Sequence, residues 1–363
     1  MGPALSCRRN KESRSMADTK KPRVHVFTLV YGEAFIDKLC NFSLPSLFQV
    51  GNIPALLDRF EVTIRLYTMS DSHVYLDRSI KKWVARQYPD QPAMRDRALS
   101  MLKVKARDVV GKTADLARAD MATHGNALRR KWQGFCLLEE IKACLAEDAI
   151  MIQSTADFVF GDSTLFNLAH TAHEHSASVA ALILRVDEGK FVSALTGQSW
   201  PIDNARLATL ALESLHSSSA ELVRGGTRNF AIFAGNEIIP LTPRLFSVTY
   251  GVPTVFATRF RPTDAALFRF YADLRPWDAV WTQKLIAERR FMCLGSSDLG
   301  FCAELTPTEK GARMHKAALY DEVSEFLTPG EHPSLHLPHQ ADVMRNFGIC
   351  LRTDRDVTLV PNS

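Results

Sequence analysis

Ile150-Met151-Ile152-Gln153-Ser154-Thr155-Ala156-Asp157-Phe158-Val159-Phe160-Gly161-Asp162-Ser163-Thr164-Leu165 is the stretch on which the fold turns. An apolar, strand-like run meets one carboxylate, Asp157. Gly161-Asp162-Ser163 then punctuates the chain ahead of a helix near Leu165. In α/β proteins ligands gather beyond the carboxyl ends of strands, so an acid here suits the holding of a cation or a sugar. The same Asp also suits an ordinary turn.

Working outward, residues 129–147 read as the clearest helix. Leu137, Leu138, Ile141, Cys144 and Leu145 form an apolar stripe, and Glu139, Glu140, Lys142 and Glu147 fall largely away from it. Residues 163–175 read as a second helix and 178–184 as a buried strand. At the other end, Val24-His25-Val26-Phe27-Thr28-Leu29-Val30 reads as a first buried strand, with Tyr31-Gly32-Glu33 as the turn out of it. Phe35, Leu39, Phe42, Leu47 and Val50 suggest a helix broken near Pro45, and 62–67 a second strand ending in Thr68-Met69-Ser70-Asp71. That strand–helix–strand opening is the βαβ unit of a mainly parallel sheet. Residues 74–127 read as helical and charge-rich, broken at Pro89 and Pro92. Later come a helix at 206–215, strands at 229–233 and 246–250, a short helix at 321–327 and a loop at 329–338. No repeat or low-complexity linker divides the chain. The expectation is one large α/β domain over 23–363, a mainly parallel, Rossmann-related sheet flanked by helices, behind a disordered basic tail at 1–22.

The bulk numbers fit that expectation. A chain of 363 residues with 46% hydrophobic and 23% charged content can bury a large core. A formal charge of +4 over this length gives no case for nucleic acid as a partner. The seven cysteines are dispersed and never form a CxxC pair, the usage of a reduced, cytoplasmic protein. No run approaches the ~18–20 apolar residues of a membrane span. The first residues lack the apolar core of a secretory signal. Met1-Gly2 with Ser6 and Cys7 fits a lipid-anchor pattern that would make the protein peripheral at a membrane, and Met16 is an alternative start.

There is no GxGxxG after the first strand, no GxxxxGK[ST], no GxSxG and no HExxH, which weighs against dinucleotide, P-loop, α/β-hydrolase and zincin chemistry. Gly225-Gly226 between Arg224 and Arg228 reads as a turn, or as a cradle for a phosphate. His170, His173 and His175 share one helix, but His175 points away from the other two, a poor three-ligand set. His332, His336 and His339 lie in a Pro-rich loop that can converge them on a cation together with a carboxylate such as Asp157. Asp298 follows an apolar segment and is either a turn acid or the base that takes a proton from a substrate hydroxyl. Trp277 and Asp278 offer a ring face and a carboxylate to a sugar or acceptor.

Val24–Val30 with Tyr31-Gly32, the Asp157 segment after a long helix, and Asp298 after a later apolar stretch together resemble the plan of a GT-A-type glycosyltransferase. Residues 156–165 are similar to the strand-end acid and turn of bacterial sugar transferases of that fold, and the layout extends over 25–310. The resemblance implies a nucleotide-sugar donor at the carboxyl edge of the sheet, a nucleotide-binding half at 23–185 and an acceptor half at 186–363. It implies Thr28 and Tyr31 by the nucleotide, Asp71 near the ribose or base, Asp157 beside a diphosphate-bound Mn²⁺ or Mg²⁺, and Asp298 as base or acceptor-site acid. The sequence departs from the Asp-x-Asp pattern, because Val159 stands two residues after Asp157; Arg or Lys side chains are then expected to neutralise the leaving diphosphate. The expected activity is glycosyl transfer from a nucleoside-diphosphate sugar to a glycan, lipid-linked or small acceptor, as in polysaccharide biosynthesis. The alternatives are a metal-dependent hydrolase or lyase built on the His332–His339 loop, and a non-catalytic partner protein of the same fold.

Overall fold

Alternation along the first strand sets up the architecture. In β1 (Arg23–Leu29), Val24 and Val26 face one way and His25 and Phe27 the other, and all four are buried. A strand buried on both faces belongs in the middle of a sheet covered on both sides. The computed structural model, which describes residues 21–108, 125–220, 237–249, 255–265, 285–308 and 349–359, bears this out. β1 pairs in parallel with β2 (Glu61–Thr68) on one side and with β4 (Ala149–Thr155) on the other. Beyond β2 lies β3 (Leu102–Ala106), also parallel. Beyond β4 come β10 (Val255–Arg259), antiparallel, then β6 (Ser178–Ala180) and β11 (Phe291–Cys293), to give the order β3-β2-β1-β4-β10-β6-β11.

Helices cover the two faces. Between β1 and β2 the chain makes α1 (Glu33–Lys38), a π turn (Leu39–Ser43), α2 (Leu44–Leu47) with Pro45 in its first turn, and α3 (Ile53–Arg59). Ile36, Leu44, Leu47, Ile53 and Leu56 pack with Val24, Val26, Ile64, Leu66, Ile150 and Ile152 on this face. α4 (Ser70–Gln87) and α5 (Pro92–Met101) join β2 to β3 and add Leu76, Ile80 and Trp83. Each such side chain contributes about 1.5–3 kcal/mol by leaving water. On the opposite face α6 (Gly125–Glu147) lays Trp132, Cys136, Leu137, Ile141 and Cys144 over Phe27, Tyr67 and Met151.

A second, three-stranded sheet is built from β5 (Phe158–Phe160), β7 (Leu182–Asp187) and β12 (Phe301–Thr306), with β12 in the middle. Two strands feed it directly from the large sheet. β4 continues through Ala156-Asp157 into β5, and β6 continues through Ala181 into β7. A third sheet holds β8 (Glu237–Thr242), β9 (Leu245–Thr249) and β13 (Ile349–Arg352). α7 (Thr164–His175), α8 (Glu188–Leu195) and α9 (Asn204–Glu213) complete the packing, with Leu207, Leu210 and Phe191 against Leu182, Phe246 and Phe301.

Three sequence expectations are corrected. The helical reading of 74–127 hides β3, whose Lys103 and Lys105 suit an edge strand that must not recruit another. The single strand expected at 178–184 is two strands in different sheets. Glu140, read as lying away from the apolar stripe, is completely buried. It lies four residues before Cys144 and three after Leu137, so it shares their face. The expected strand at 229–233, the segment 321–338, Gly225-Gly226 and most of the 1–22 tail lie outside the described residues.

Under α6 runs a buried polar network. Glu140 Oε1 lies 2.8 Å from His25 Nδ1, and Glu140 Oε2 accepts from the Tyr67 hydroxyl at 2.9 Å. Arg65 Nη2 donates to Glu147 at 2.6 Å and lies 3.2 Å from His25 Nε2. Tyr67 accepts from Lys105, which also meets Glu139, itself paired with Arg107.

The junction before α7 is tightly built. Asn52 Nδ2 donates to the carbonyls of Ser46 and Gly161, and its Oδ1 accepts from Leu165 N, which ties α3 to the β5–α7 turn. Asn204 lies so close on the other side that a Cβ on Gly161 would sit 1.9 Å from its Oδ1 and 3.1 Å from its Cα. Gly161→Ala is expected to lose about 1–3 kcal/mol by overpacking, read as a lower urea midpoint with an unchanged m-value.

Candidate functional site

From β1 the chain builds outward on one side through β2 and β3, then returns to add β4 on the other. The gap between the carboxyl ends of β1 and β4 is therefore the topological switch point of the sheet, where α/β folds take their ligands. Leu29 is in register with Thr155, so Tyr31 and Asp157 leave adjacent strands at the same level.

On the β1 side, Tyr31 is half-buried, its ring stacked on Phe35 at 6.0 Å and edge-on to Trp132 at 5.3 Å. Gly32 follows with φ of 75°, a conformation that favours glycine, and starts α1. Its N–H donates to Ser72 Oγ, which in turn donates to Asp71 Oδ1. Tyr31, Gly32 and the exposed Asp71 are thus brought together at the exits of β1 and β2.

On the β4 side, Thr155 donates its hydroxyl to Asp157, and the Asp157 carbonyl accepts from Leu305 N at 2.9 Å. Asp157 keeps an edge in solvent, yet it is crowded enough that burial raises its carboxyl to about 6, with the nearby Glu304 carboxylate as the second cause and Lys38 opposing. Arg185 pairs with Glu304 at 3.1 Å, and Lys38, at the end of α1, pairs with Glu188 at 2.6 Å. Glu188 is held there by the cap of α8: Asp187 accepts from Lys190 N and from Thr308 Oγ1, which keep its carboxyl low. Beside this pair opens a cleft of ≈ 470 Å³ lined by Phe42, Glu188, Gly189, Val192, Pro307 and Thr308.

Other expected site residues lie elsewhere. Thr28 is fully buried with its Oγ1 enclosed and unpaired, so it does not reach the edge. Asp298 is exposed in a turn where its N–H donates to Ser296 Oγ and its carboxylate meets Arg352 at 3.5 Å. It precedes β12 while Asp157 meets the far end of that strand. The six residues of β12 thus stand between the two acids, roughly 20 Å at the usual rise per residue. They do not act on one atom. His170 stacks on Phe166 and His173 meets the Phe60 ring edge-on, so both serve packing. Trp277, Asp278, His336 and His339 lie outside the described residues. Lys38, Arg185, Glu188 and Glu304 were missed by sequence reasoning. Only Lys38, seven residues after Tyr31, carries a local signal; Glu304 comes from 147 residues beyond Asp157 in the chain.

A divalent cation does not fit this edge well. Val159, two residues past Asp157, is a buried apolar side chain. Glu304 is committed to Arg185, and Lys38 adds a second positive charge beside Asp157. Hard cations need several free oxygens, which this set does not offer.

The fold is α/β, and its switch-point edge carries an aromatic wall, a carboxylate pair and two cations, which makes it the candidate site. No protein-family model matches the chain, and no curated protein matches it. Among solved structures, UDP-glucose pyrophosphorylase complexed with UDP-glucose is similar with a TM-score of 0.28 and 9% identity, over 79% of this chain and 91% of that one. A likeness this slight carries no functional weight.

Proposed function

We propose that the protein is a GT-A-like glycosyltransferase that uses a nucleoside-diphosphate sugar at the β1/β4 edge. The observation that supports this reading is the meeting, at one switch point, of the Tyr31 aromatic wall with Asp157 and its Lys38 and Arg185 neighbours. Tyr31 would stack on the base, and Asp71 would accept from a ribose hydroxyl. Lys38 and Arg185 would take up the charge that grows on the diphosphate as it leaves, the work done elsewhere by a metal. Asp157, ionised above about pH 6, would accept the acceptor's hydroxyl proton as that oxygen bonds to the anomeric carbon and the bond from carbon to the phosphate oxygen breaks. Glu304 raises the basicity of Asp157 without touching substrate. The cleft at Phe42, Val192 and Pro307 would receive the acceptor.

Thermal-shift screening against UDP-, GDP- and dTDP-sugars tests the reading, with CMP-sugars, which carry a single phosphate, as the control. One donor class is expected to raise the melting temperature to the same extent with and without Mn²⁺. Tyr31→Ala is expected to weaken that donor about five- to tenfold, as the loss of one aromatic stack implies. No shift with any donor would overturn the proposal and favour a non-catalytic role. A shift that requires Mn²⁺ would reassign charge neutralisation from Lys38 and Arg185 to the ion.

A further inference from the structure

The proposed reaction sends Lys38 to the diphosphate, yet Lys38 Nζ already donates to Glu188 Oε2 at 2.6 Å. We propose that Glu188 is a positioning residue that restrains Lys38: its carboxylate holds the ammonium as a phosphate oxygen would, and a nucleoside diphosphate binds by displacing it. The inference rests on the reading of Lys38 as a diphosphate contact.

The geometry supports a restraint that comes from the protein side. Lys38 ends α1 and Glu188 opens α8, 150 residues later in the chain. Glu188 has little freedom to follow the lysine. It directly follows β7, and the Asp187 carboxylate before it accepts from Lys190 N at 3.0 Å and from Thr308 Oγ1 at 2.6 Å. The lysine is the mobile partner, because its four-carbon stem lets the ammonium turn while α1 stays in place. Its Nζ also lies 5.0 Å from the centre of the Phe35 ring, and that ring stacks on Tyr31. Lys38 therefore stands between the aromatic wall and α8.

Arg185 is not restrained in the same way. It meets Glu304 through Nε at 3.1 Å and its side chain is 54% exposed, so water screens the pair and the terminal nitrogens stay open to a ligand. The Lys38 and Glu188 side chains are 12% and 27% exposed and their contact is shorter. Their attraction is the stronger of the two, and it is the one that an incoming anion has to overcome. Glu188 also lines the cleft with Phe42, Val192 and Pro307. Once Lys38 lets it go, its carboxylate is free to accept from a hydroxyl in that cleft. Binding at the edge and binding in the cleft are thereby coupled, equally in both directions.

The test is calorimetric titration of the full-length protein with UDP, GDP and dTDP, carried forward with whichever binds. Glu188→Gln keeps the size of the side chain and removes its charge, and is expected to bind that nucleotide about three- to tenfold more tightly than wild type. In a Lys38→Met background the same substitution is expected to change affinity by less than about twofold, because Glu188 acts through the lysine. Unchanged or weaker binding by Glu188→Gln would overturn the inference and leave the donor reading standing. Equal tightening in both backgrounds also defeats it, since that marks plain repulsion of an anion. Should Lys38→Met bind too weakly to measure, Glu188→Asp decides. It keeps the charge but draws the carboxylate back by one methylene, so tighter binding supports the restraint and unchanged binding refutes it. Wild-type protein that binds none of these diphosphates overturns this inference and the donor reading together.

Discussion

Asp157→Asn is expected to lower glycosyl transfer by about 10²–10⁴-fold while making the fold more stable at neutral pH by about 1–3 kcal/mol. The loss follows if Asp157 is the proton acceptor proposed above; Asn still accepts the Thr155 hydroxyl, so the loop keeps its shape. The gain follows from the same crowding that makes Asp157 useful. Its folded carboxyl is raised to about 6 by burial and by Glu304, above its unfolded value near 3.9. Below about pH 4 both states hold the proton. Between about pH 4 and 6 the folded state keeps a proton that the unfolded state has given up, so native stability falls as the pH rises. Above about 6 the full cost of a poorly solvated charge is expressed. The Asn variant carries no such charge. Urea unfolding of both proteins at pH 4 and pH 8 checks this: the variant's advantage should appear at pH 8 and vanish at pH 4. Equal stabilities at both would show that the carboxylate is not under strain. Wild-type turnover should correspondingly rise with pH through about 6.

Glu140→Ala is expected to cost about 3–5 kcal/mol, the usual penalty for removing one partner from a buried ionic network. The substitution leaves the His25 imidazole, the Tyr67 hydroxyl and the Arg65 Nε without their acceptor, with no route to water. Glu140→Gln keeps the size and much of the hydrogen bonding, and its cost should be smaller. Both are best measured by denaturant unfolding. A cost below about 1 kcal/mol for the Ala variant would mean that the neighbours re-pair among themselves.

Most of the large sheet was legible because its strands are buried on both faces and read as unbroken apolar runs. Val24–Val30, 62–67 and 150–155 announced β1, β2 and β4 in this way, and the 3.6-residue stripe announced α6. β3 was not legible: an edge strand is half-exposed, and Leu102-Lys103-Val104-Lys105 follows a helix without a turn residue to mark the change. The break at Ala181 was hidden for the opposite reason, since both halves of 178–184 are buried and only the partner sheet changes. Asp157 and Tyr31 were legible as strand-exit residues. Their neighbours Glu304, Arg185 and Glu188 were not, because they reach the edge through the second sheet, whose pairing is non-local. Glu140 shows a further limit: a charge on an apolar stripe reads as an exception until its partners on β1 and β2 are known.

The two strands that pass from the large sheet into the small one have a mechanical consequence. Two crossings define one axis, so the small sheet keeps a single way to turn, about the line through them. Ala156-Asp157 and Ala181 are those two points, and Asp157 lies on the axis itself. The pin of a hinge moves least when the leaf turns. Asp157 is therefore expected to hold its place against the large sheet while positions farther out on the small one shift about it.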